Sequence, residues 1–336
     1  MSDLGAGWLV VALALVLALV LALVGMLWFV RGRRDRSGRM PAPHGRPQRS
    51  PGNQARVDVP AGRDRYRIER QIGQGAMSTV HLAHDLLLDR PVALKTLSLS
   101  AAMDGEALDQ ARSRFAREAV TAGRLHHPGI VTVLDSGVQA GQAWMAMEYL
   151  AGHDLQRHTV PGQLLPLPQV LEIAARVAEA LACAHRQGVV HRDIKPANVM
   201  HDAATGRVTV TDFGIASLDD AARTRTGLLL GTPDCMSPEQ LSGAPVDGRS
   251  DLYALGVLLF RLLTGTAPHH DESMARLMHR IANEPAPDLR SLRPEVPGAL
   301  ADVVALALQK RPELRYSDGL EMAADLRSVA ATLAPL

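Results

Sequence analysis

The chain has 336 residues, of which 47% are hydrophobic, so it can bury a large core. Its 36 basic and 35 acidic side chains leave a formal charge of +1, which excludes a broadly basic nucleic-acid-binding protein and an acidic disordered tail. The two cysteines, Cys183 and Cys235, are far apart, which excludes a disulfide scaffold and a cysteine zinc site. We therefore expect a globular protein of a reducing compartment that binds no nucleic acid.

The basic residues are distributed unevenly. Residues 31–56 hold eight arginines and one aspartate, a local charge of +7, whereas residues 57–336 sum to −5. Lysine is rare, with three lysines against 33 arginines. Because an ammonium is a compact point charge that suits phosphate oxygens, each lysine is a candidate functional residue.

The segment from Trp8 to Val30 contains 23 consecutive residues without a charged or polar side chain. As a helix it would be about 35 Å long, enough to cross a hydrocarbon core of about 30 Å. A cleaved signal peptide is the alternative, but no Lys or Arg precedes the run and no small-residue cleavage site follows it. We therefore predict a single transmembrane helix over residues 8–30.

Five arginines lie within residues 31–39, while only Asp3 is charged before the apolar run. The positive-inside rule then places the remainder of the chain in the cytoplasm. These arginines set the topology, contact anionic lipid headgroups at about 1 kcal/mol each, or do both. Residues 31–65, rich in Pro, Gly, Arg and Ser, are predicted to be a basic juxtamembrane linker.

From residue 66 onward, short strand-like runs precede longer helical ones. The strand-like runs are Tyr66–Gly73, Thr79–Asp85, Pro91–Leu97, Ile130–Ser136 and Ala143–Tyr149, with a helix predicted over 106–125. The later helical runs are 168–187, 250–264, 273–283, 299–309 and 317–333. This order predicts an α+β fold with a β-rich lobe over about 66–150, a larger helical lobe over about 151–333, and a cleft between them.

Two features near the start of the β-rich lobe suit phosphate binding. Gly73 and Gly75 lie between the first two strands, where glycines let backbone amides approach phosphate oxygens, although a plain hairpin turn would also use them. Lys95 ends the third strand, either as a phosphate ligand or as a surface lysine. Glu118, on the following helix, is either its ion-pair partner or a solvated residue.

The second half of the chain contains His191-Arg192-Asp193-Ile194-Lys195-Pro196-Ala197-Asn198, followed by Asp212-Phe213-Gly214. Together these segments resemble the catalytic loop and the metal-binding motif of protein kinases. With them, residues 66–333 resemble a protein kinase domain, specifically the eukaryotic-like Ser/Thr kinases of bacteria. Further matching segments are Met147-Glu148-Tyr149-Leu150, Gly231-Thr232-Pro233, Ser237-Pro238-Glu239-Gln240, Asp251, and Arg315 as the partner of Glu239.

The resemblance implies a bilobal kinase fold and specific roles in phosphoryl transfer. Asp193 would accept or orient the proton of the substrate hydroxyl, and Lys195 would neutralise the γ-phosphate. Lys195 and Thr232 at these positions indicate a Ser/Thr rather than a Tyr kinase. Mg²⁺, or Mn²⁺, would be held by Asn198 and Asp212.

The resemblance also implies that ATP is the phosphate donor. Lys95, held by Glu118, would contact the α- and β-phosphates. The residues implied to surround the remainder of the nucleotide are Ile72, Gly73, Gly75, Val80, Ala93, Met147, Glu148, Leu150, Asp154 and Met200.

The segment after the metal-binding motif contains Thr224 and Thr226, spaced as in bacterial relatives that autophosphorylate there. Arg192 would bind such a phosphothreonine and order the segment. A flexible polar loop is the alternative reading. The chain departs from the kinase pattern at Ser78 and Ser237, and at Cys235, where a tyrosine is usual.

The sequence therefore predicts a single-pass protein of the bacterial inner membrane with a cytoplasmic Ser/Thr protein kinase domain. Its partners would be protein substrates, membrane lipid, and a second copy of the chain for trans-autophosphorylation. A catalytically silent pseudokinase scaffold is the alternative. A kinase-fold enzyme acting on a small molecule is disfavoured by Thr232.

Overall fold

The computed structural model of the protein describes residues 62–75, 78–97, 105–139, 142–213 and 233–333. The predicted transmembrane helix, the linker up to residue 61, Thr224, Thr226 and Thr232 lie outside these ranges. Of the helices within the described ranges, none is both long and apolar enough to cross a membrane.

The first lobe contains one antiparallel sheet with the strand order β1-β2-β3-β5-β4. Its strands are β1 (Tyr66–Gln74), β2 (Ser78–Asp85), β3 (Arg90–Leu97), β4 (Val133–Gln139) and β5 (Gln142–Glu148). Cross-strand pairing of Lys95 with Val80 and Met145 places these three residues on one face, and Ala93 pairs with Met147 two residues further along. This face therefore carries the side chains that the sequence assigns to the cleft.

Helix α1 (Gly105–Ala122) packs on that face. Its buried residues Phe115, Ala119 and Ala122 recur at helical spacing, and the first two join a core cluster with Met145 and Met147. The predicted helix over 106–125 is thus confirmed, but it ends three residues earlier.

The second lobe is mainly helical. Its helices are α2 (Leu167–Arg186), α3 (Pro238–Ser242), α4 (Gly248–Thr264), α5 (Met274–Asn283), α6 (Leu289–Leu292), α7 (Gly298–Ala307) and α8 (Gly319–Leu333). Every residue of α4 from Ser250 to Phe260 is buried, so this helix is enclosed by the others. The five predicted helices of this lobe are confirmed with shifts of one or two residues at their ends.

A second sheet, which the sequence did not predict, lies where the two lobes meet. It contains β6 (His153–Asp154), β7 (Val199–Asp202) and β8 (Arg207–Val210). Ile130 forms an isolated bridge with Val210, and the Val131 amide donates to the Val210 carbonyl at 3.0 Å. The predicted strand Ile130–Ser136 is therefore wrong at its start, because residues 130 and 131 pair with β8 while β4 begins at Val133.

A buried ion pair links α3 to the segment before α8. Two guanidinium nitrogens of Arg315 donate to the two Glu239 oxygens at 2.7 and 2.8 Å, as the kinase resemblance implied. Ser250 also donates to Glu239, and the Arg315 guanidinium lies 4.8 Å from the centroid of the Tyr253 ring. Burial would raise the pKa of Glu239, but the bonds from Arg315 and Ser250 outweigh it and lower the pKa.

A second cation of this lobe, the half-buried Lys310, donates to two neutral acceptors. The Lys310 ammonium donates to the Ile281 carbonyl at 2.8 Å and to Nε2 of His269 at 3.0 Å. His269 is buried, and desolvation together with this ammonium lowers its pKa to about 4. The imidazole is thus held in its neutral form.

Removing one partner of a buried ion pair leaves the other charge without compensation. We therefore expect Arg315→Ala to lower the free energy of unfolding of the full-length protein by about 3–5 kcal/mol. Arg311→Ala is the matched control, because its pair with Glu313 is largely exposed, and it should change stability by less than about 1 kcal/mol. Urea unfolding measures both, and equal effects of the two substitutions would contradict the assignment.

The lowered pKa of His269 predicts a pH dependence of stability. Below the ordinary histidine pKa of about 6.5, His269 takes up a proton in the unfolded chain but stays neutral in the folded protein. Stability therefore falls as the pH falls. Relative to His269→Gln, the wild type should lose about 1.6 kcal/mol of unfolding free energy between pH 6.5 and 5. Urea unfolding across this range measures the difference. His126→Gln, at an exposed histidine, should follow the wild type, and parallel curves for wild type and His269→Gln would refute the prediction.

Candidate active site

A cleft of about 620 Å³ lies between the five-stranded sheet and the β6–β8 sheet. Fourteen of the predicted site residues line it: Ile72, Gly73, Gly75, Val80, Ala93, Met147, Glu148, Leu150, Asp154, Asp193, Lys195, Asn198, Met200 and Asp212. Lys95 lies next to the lining through its contact with Asp212, and Glu118 lies behind it through its contact with Lys95. The sequence did not predict the lining residues Gln74, Ser78, Val131, Tyr149, Gln156, Ala197 and Thr211.

The glycine segment forms the β1–β2 hairpin at one edge of the cleft. Gly73 pairs with Val80 across the two strands, and the Gly75 amide donates to the Ser78 carbonyl at 2.7 Å. Ser78, which replaces a third glycine, lines the cleft as well. The hairpin thus brings backbone close to the cleft, as a phosphate-binding turn requires.

The Lys95 ammonium joins three elements. It donates to Glu118 on α1 at 2.6 Å and to Asp212 after β8 at 2.8 Å. Burial alone would lower the pKa of Lys95, but the two carboxylates outweigh burial and raise it. Burial likewise opposes ionisation of Asp212, yet Lys95 holds its pKa below the usual range. Lys95 is therefore held in its protonated form and Asp212 in its ionised form.

Asp193 and Asn198 lie on one short loop before β7. The Asn198 side-chain nitrogen donates to the Asp193 carbonyl at 2.8 Å and to its Oδ2 at 3.0 Å. Lys195 donates to the same Oδ2 at 2.8 Å. Two donors on Oδ2 keep the Asp193 carboxylate in one orientation toward the cleft.

The loop is anchored from below by the buried carboxylate of Asp251 on α4. Its oxygens accept from the backbone amides of His191 at 2.8 Å and Arg192 at 2.7 Å, and from Nε2 of His185 at 2.8 Å. Arg192 has φ 65° and Asp212 φ 52°, conformations that cost non-glycine residues about 1–3 kcal/mol each. Such backbone persists because surrounding bonds enforce it.

His191 connects the loop to the metal-binding motif. The Asp193 amide donates to its Nδ1 at 3.2 Å, so Nε2 carries the proton and donates to the Thr211 carbonyl at 2.9 Å. The ring also lies 4.7 Å from the ring of buried Phe213, centroid to centroid. One imidazole therefore bonds to the backbone at Asp193 and directly before Asp212, and so fixes their relative position.

Cys235 belongs to a 3₁₀ turn, Pro233–Cys235, and packs against the core of the helical lobe. Burial raises the pKa of its thiol to about 12, so it is not a nucleophile near neutral pH. Neighbouring Asp234 accepts from Arg261 of α4 at 2.6 Å. The turn is thus held by an ion pair rather than by a tyrosine.

The donor set in the cleft suits a hard divalent cation. Asp212 supplies a carboxylate, and among the described residues the Oδ1 of Asn198 accepts no hydrogen bond. Within the same ranges, no three His, Cys, Asp or Glu side chains are grouped as in a site built by protein alone. Mg²⁺ prefers a site in which the protein supplies one or two oxygen ligands and phosphate and water supply the others.

Comparison with known proteins agrees with this geometry. Residues 66–326 match the family described as "Protein kinase domain". The serine/threonine-protein kinase PrkC of Bacillus subtilis is 39% identical over 266 residues, covering 79% of this chain and 40% of PrkC. The serine/threonine-protein kinase PknB of Mycobacterium leprae is 41% identical over 271 residues, covering 78% of this chain and 42% of PknB.

A crystal structure of the PknI kinase domain of Mycobacterium tuberculosis is similar as well. It aligns with a TM-score of 0.62 and 35% identity over 79% of this chain and 96% of that one. The chain spans less than half of the length of PrkC or of M. leprae PknB. From its two-lobed fold, its cleft and these matches, the chain belongs to the protein kinase domain family, among the bacterial Ser/Thr kinases related to PrkC and PknB.

Proposed function

We propose that the protein is a membrane-anchored kinase that transfers the γ-phosphate of ATP to Ser or Thr hydroxyls of proteins. The observation that carries the proposal is the contact of Lys95 with both Glu118 and Asp212, in the cleft that also holds Asp193 and Asn198. Phosphoryl transfer depends on positioning and on neutralising phosphate charge. A fixed cation, fixed carboxylates and a metal-suited amide in one cleft meet both needs.

ATP occupies the cleft with its phosphates under the β1–β2 hairpin. The adenine is covered on one side by Ile72, Val80 and Ala93, and on the other side by Met200. Its polar edge meets the backbone of Glu148 and Leu150, beside Met147. Asp154 meets the ribose, and the Lys95 ammonium binds the α- and β-phosphates. All of these residues except Lys95 line the one cleft, which supports the assignment.

Asn198 and Asp212 hold Mg²⁺, or Mn²⁺ in its place. When bound, such a cation would supply positive charge that neutralises the phosphates. The low pKa of Asp212 keeps its carboxylate ionised and available as a ligand.

Asp193 orients the attacking hydroxyl and receives its proton. The hydroxyl oxygen forms a bond to the γ-phosphorus, and the bond from that phosphorus to the leaving ADP oxygen breaks. Lys195, held 2.8 Å from Asp193, neutralises the charge on the transferred group. Thr232 and Lys195 together favour a Ser or Thr acceptor over tyrosine.

The competing assignment is a pseudokinase scaffold that binds partners without chemistry. It gives no reason for the full set of Lys95, Glu118, Asp193, Asn198 and Asp212 to be present and in these contacts. A scaffold that only bound nucleotide would not need Lys195 and Asn198 to orient the Asp193 carboxylate.

The wild-type full-length protein, with Mg²⁺ and labelled ATP, should phosphorylate itself and a generic acceptor such as casein. Asp193→Asn should lower turnover by at least about a hundredfold while ATP binding stays largely intact, because the carboxylate acts on the acceptor proton. Asp202→Asn, at the last residue of β7, is the control and should retain activity. Phosphate transfer measures turnover, and calorimetry measures ATP binding.

Autophosphorylation in trans within a homodimer would place phosphate on Thr224 or Thr226, which mass spectrometry can map. No phosphate on any protein, including the chain itself, would favour the scaffold. Loss of folding in Asp193→Asn would contradict the role given to this aspartate.

Membrane anchoring forms the second part of the proposal. Residues 8–30 span the bacterial inner membrane, the arginines of residues 31–39 lie at anionic headgroups, and residues 66–333 lie in the cytoplasm. The apolar run and the charge difference across it support this arrangement.

Deletion of residues 1–30 should release the protein into the soluble fraction, because the only long uncharged run is then missing. The full-length protein should resist an alkaline carbonate wash, which strips peripheral proteins. Immunoblotting of the fractions checks both. Extraction of the full-length protein by the wash would show that residues 8–30 do not span the membrane.

A further inference from the structure

Strand β8 is attached to the β-rich lobe at both of its ends. At its last residue, the Val210 amide donates to the Gly129 carbonyl at 2.8 Å and its carbonyl accepts from Val131. At its first residue, one guanidinium nitrogen of Arg207 donates to both Glu148 oxygens at 3.0 and 2.9 Å. The strand that leads directly into Asp212 is therefore held against the other lobe twice.

The Glu148 carboxylate stands at the point where the chain leaves the β-rich lobe. Besides Arg207 it accepts from the Thr132 amide at 3.0 Å, and the Glu148 amide donates back to the Thr132 carbonyl. Its side chain is 23% exposed, against 44% for Arg207. Because it accepts hydrogen bonds from both Thr132 and Arg207, this carboxylate is held in place before any nucleotide binds.

The chain passes from the β-rich lobe to the helical lobe through residues 149–151, between the end of β5 and the start of β6. On the helical side the chain is already fixed at Gly152, where φ is +92° and an added Cβ would lie 2.3 Å from the His201 carbonyl oxygen. A rotation about these three residues that moves β5 away from β8 would separate Glu148 from Arg207. The ion pair therefore opposes opening of the lobes.

We infer that Arg207 is a positioning residue that sets the width of the nucleotide cleft through its ion pair with Glu148. The inference rests on the proposed binding of ATP in that cleft. Adenine is proposed to contact the backbone of Glu148 and Leu150 on one side and Met200 of β7 on the other. The ion pair holds these two sides of the cleft together. Breaking the pair should weaken nucleotide binding more than it slows the chemical step, since Asp193 is anchored separately by Asp251.

The test compares Arg207→Ala with the wild type in the full-length protein. Calorimetry gives the Kd for ATP with Mg²⁺, and steady-state assays give KM for ATP and kcat. A partly exposed ion pair supports an increase of about two- to fivefold in Kd and KM, with kcat changed less and the difference shrinking at high salt. Arg207→Lys should lie between the two.

Arg176→Ala is the matched control. Arg176 has a similar exposure of 43%, pairs with Glu172 on its own helix, and donates to the Gly206 carbonyl beside Arg207. It does not bridge the lobes, so its removal should leave Kd and KM unchanged.

A double-mutant cycle shows whether Arg207 acts through Glu148. Glu148→Gln keeps an oxygen for the Thr132 amide but removes the charge that Arg207 binds, so Arg207→Ala should have little further effect in that background. An unchanged Kd in Arg207→Ala, an equal effect of Arg176→Ala, or an undiminished effect on Glu148→Gln would each overturn the inference.

Failure of the proposed function gives a different result. Wild-type protein that binds ATP without transferring phosphate would contradict the kinase activity, while the Kd comparison would still test Arg207. Wild-type protein that binds no ATP would overturn both.

Discussion

The Lys95 ammonium is the contact on which the site depends, because it is shared by two carboxylates from separate parts of the chain. Glu118 approaches from α1 and Asp212 from the end of β8, so one cation ties the β-rich lobe, its helix and the helical lobe together. Bringing these two carboxylates close to each other without a cation between them would be costly. The same ammonium thus stabilises the arrangement and leaves a cation where nucleotide phosphates are proposed to bind.

Below the cleft, two further buried carboxylates hold backbone that would otherwise relax. Asp251 accepts from two consecutive amides of the loop that carries Asp193, and Glu239 binds Arg315 beside the Tyr253 ring. Asp251 is part of α4, the enclosed helix of the second lobe, and Glu239 accepts from Ser250 of the same helix. The loop that carries Asp193 is therefore fixed to a rigid helix, which is how a site retains the geometry that phosphoryl transfer demands.

The regular elements with clear periodicity were predictable, and those stabilised by long-range pairing were not. All five strands of the first sheet were expected, since each is long enough for its hydrophobic pattern to appear in the sequence. Strands β6, β7 and β8 contain two to four residues, too few for a period of two to be recognised. The start of β4 was misplaced because Ile130 pairs with Val210, eighty residues away, and no local pattern encodes such a bridge.

By itself, the sequence determined the two-lobed fold class, which follows from local periodicity, and the family resemblance, which follows from short motifs. That resemblance implied fourteen of the residues that line the cleft. Only the tertiary structure decided that Lys95 contacts Asp212 as well as Glu118, that His185 supports Asp251, and that Arg207 reaches Glu148. Those contacts join residues between 59 and 117 positions apart. Their formation depends on how strands and helices pack, and such packing is a property of the whole chain.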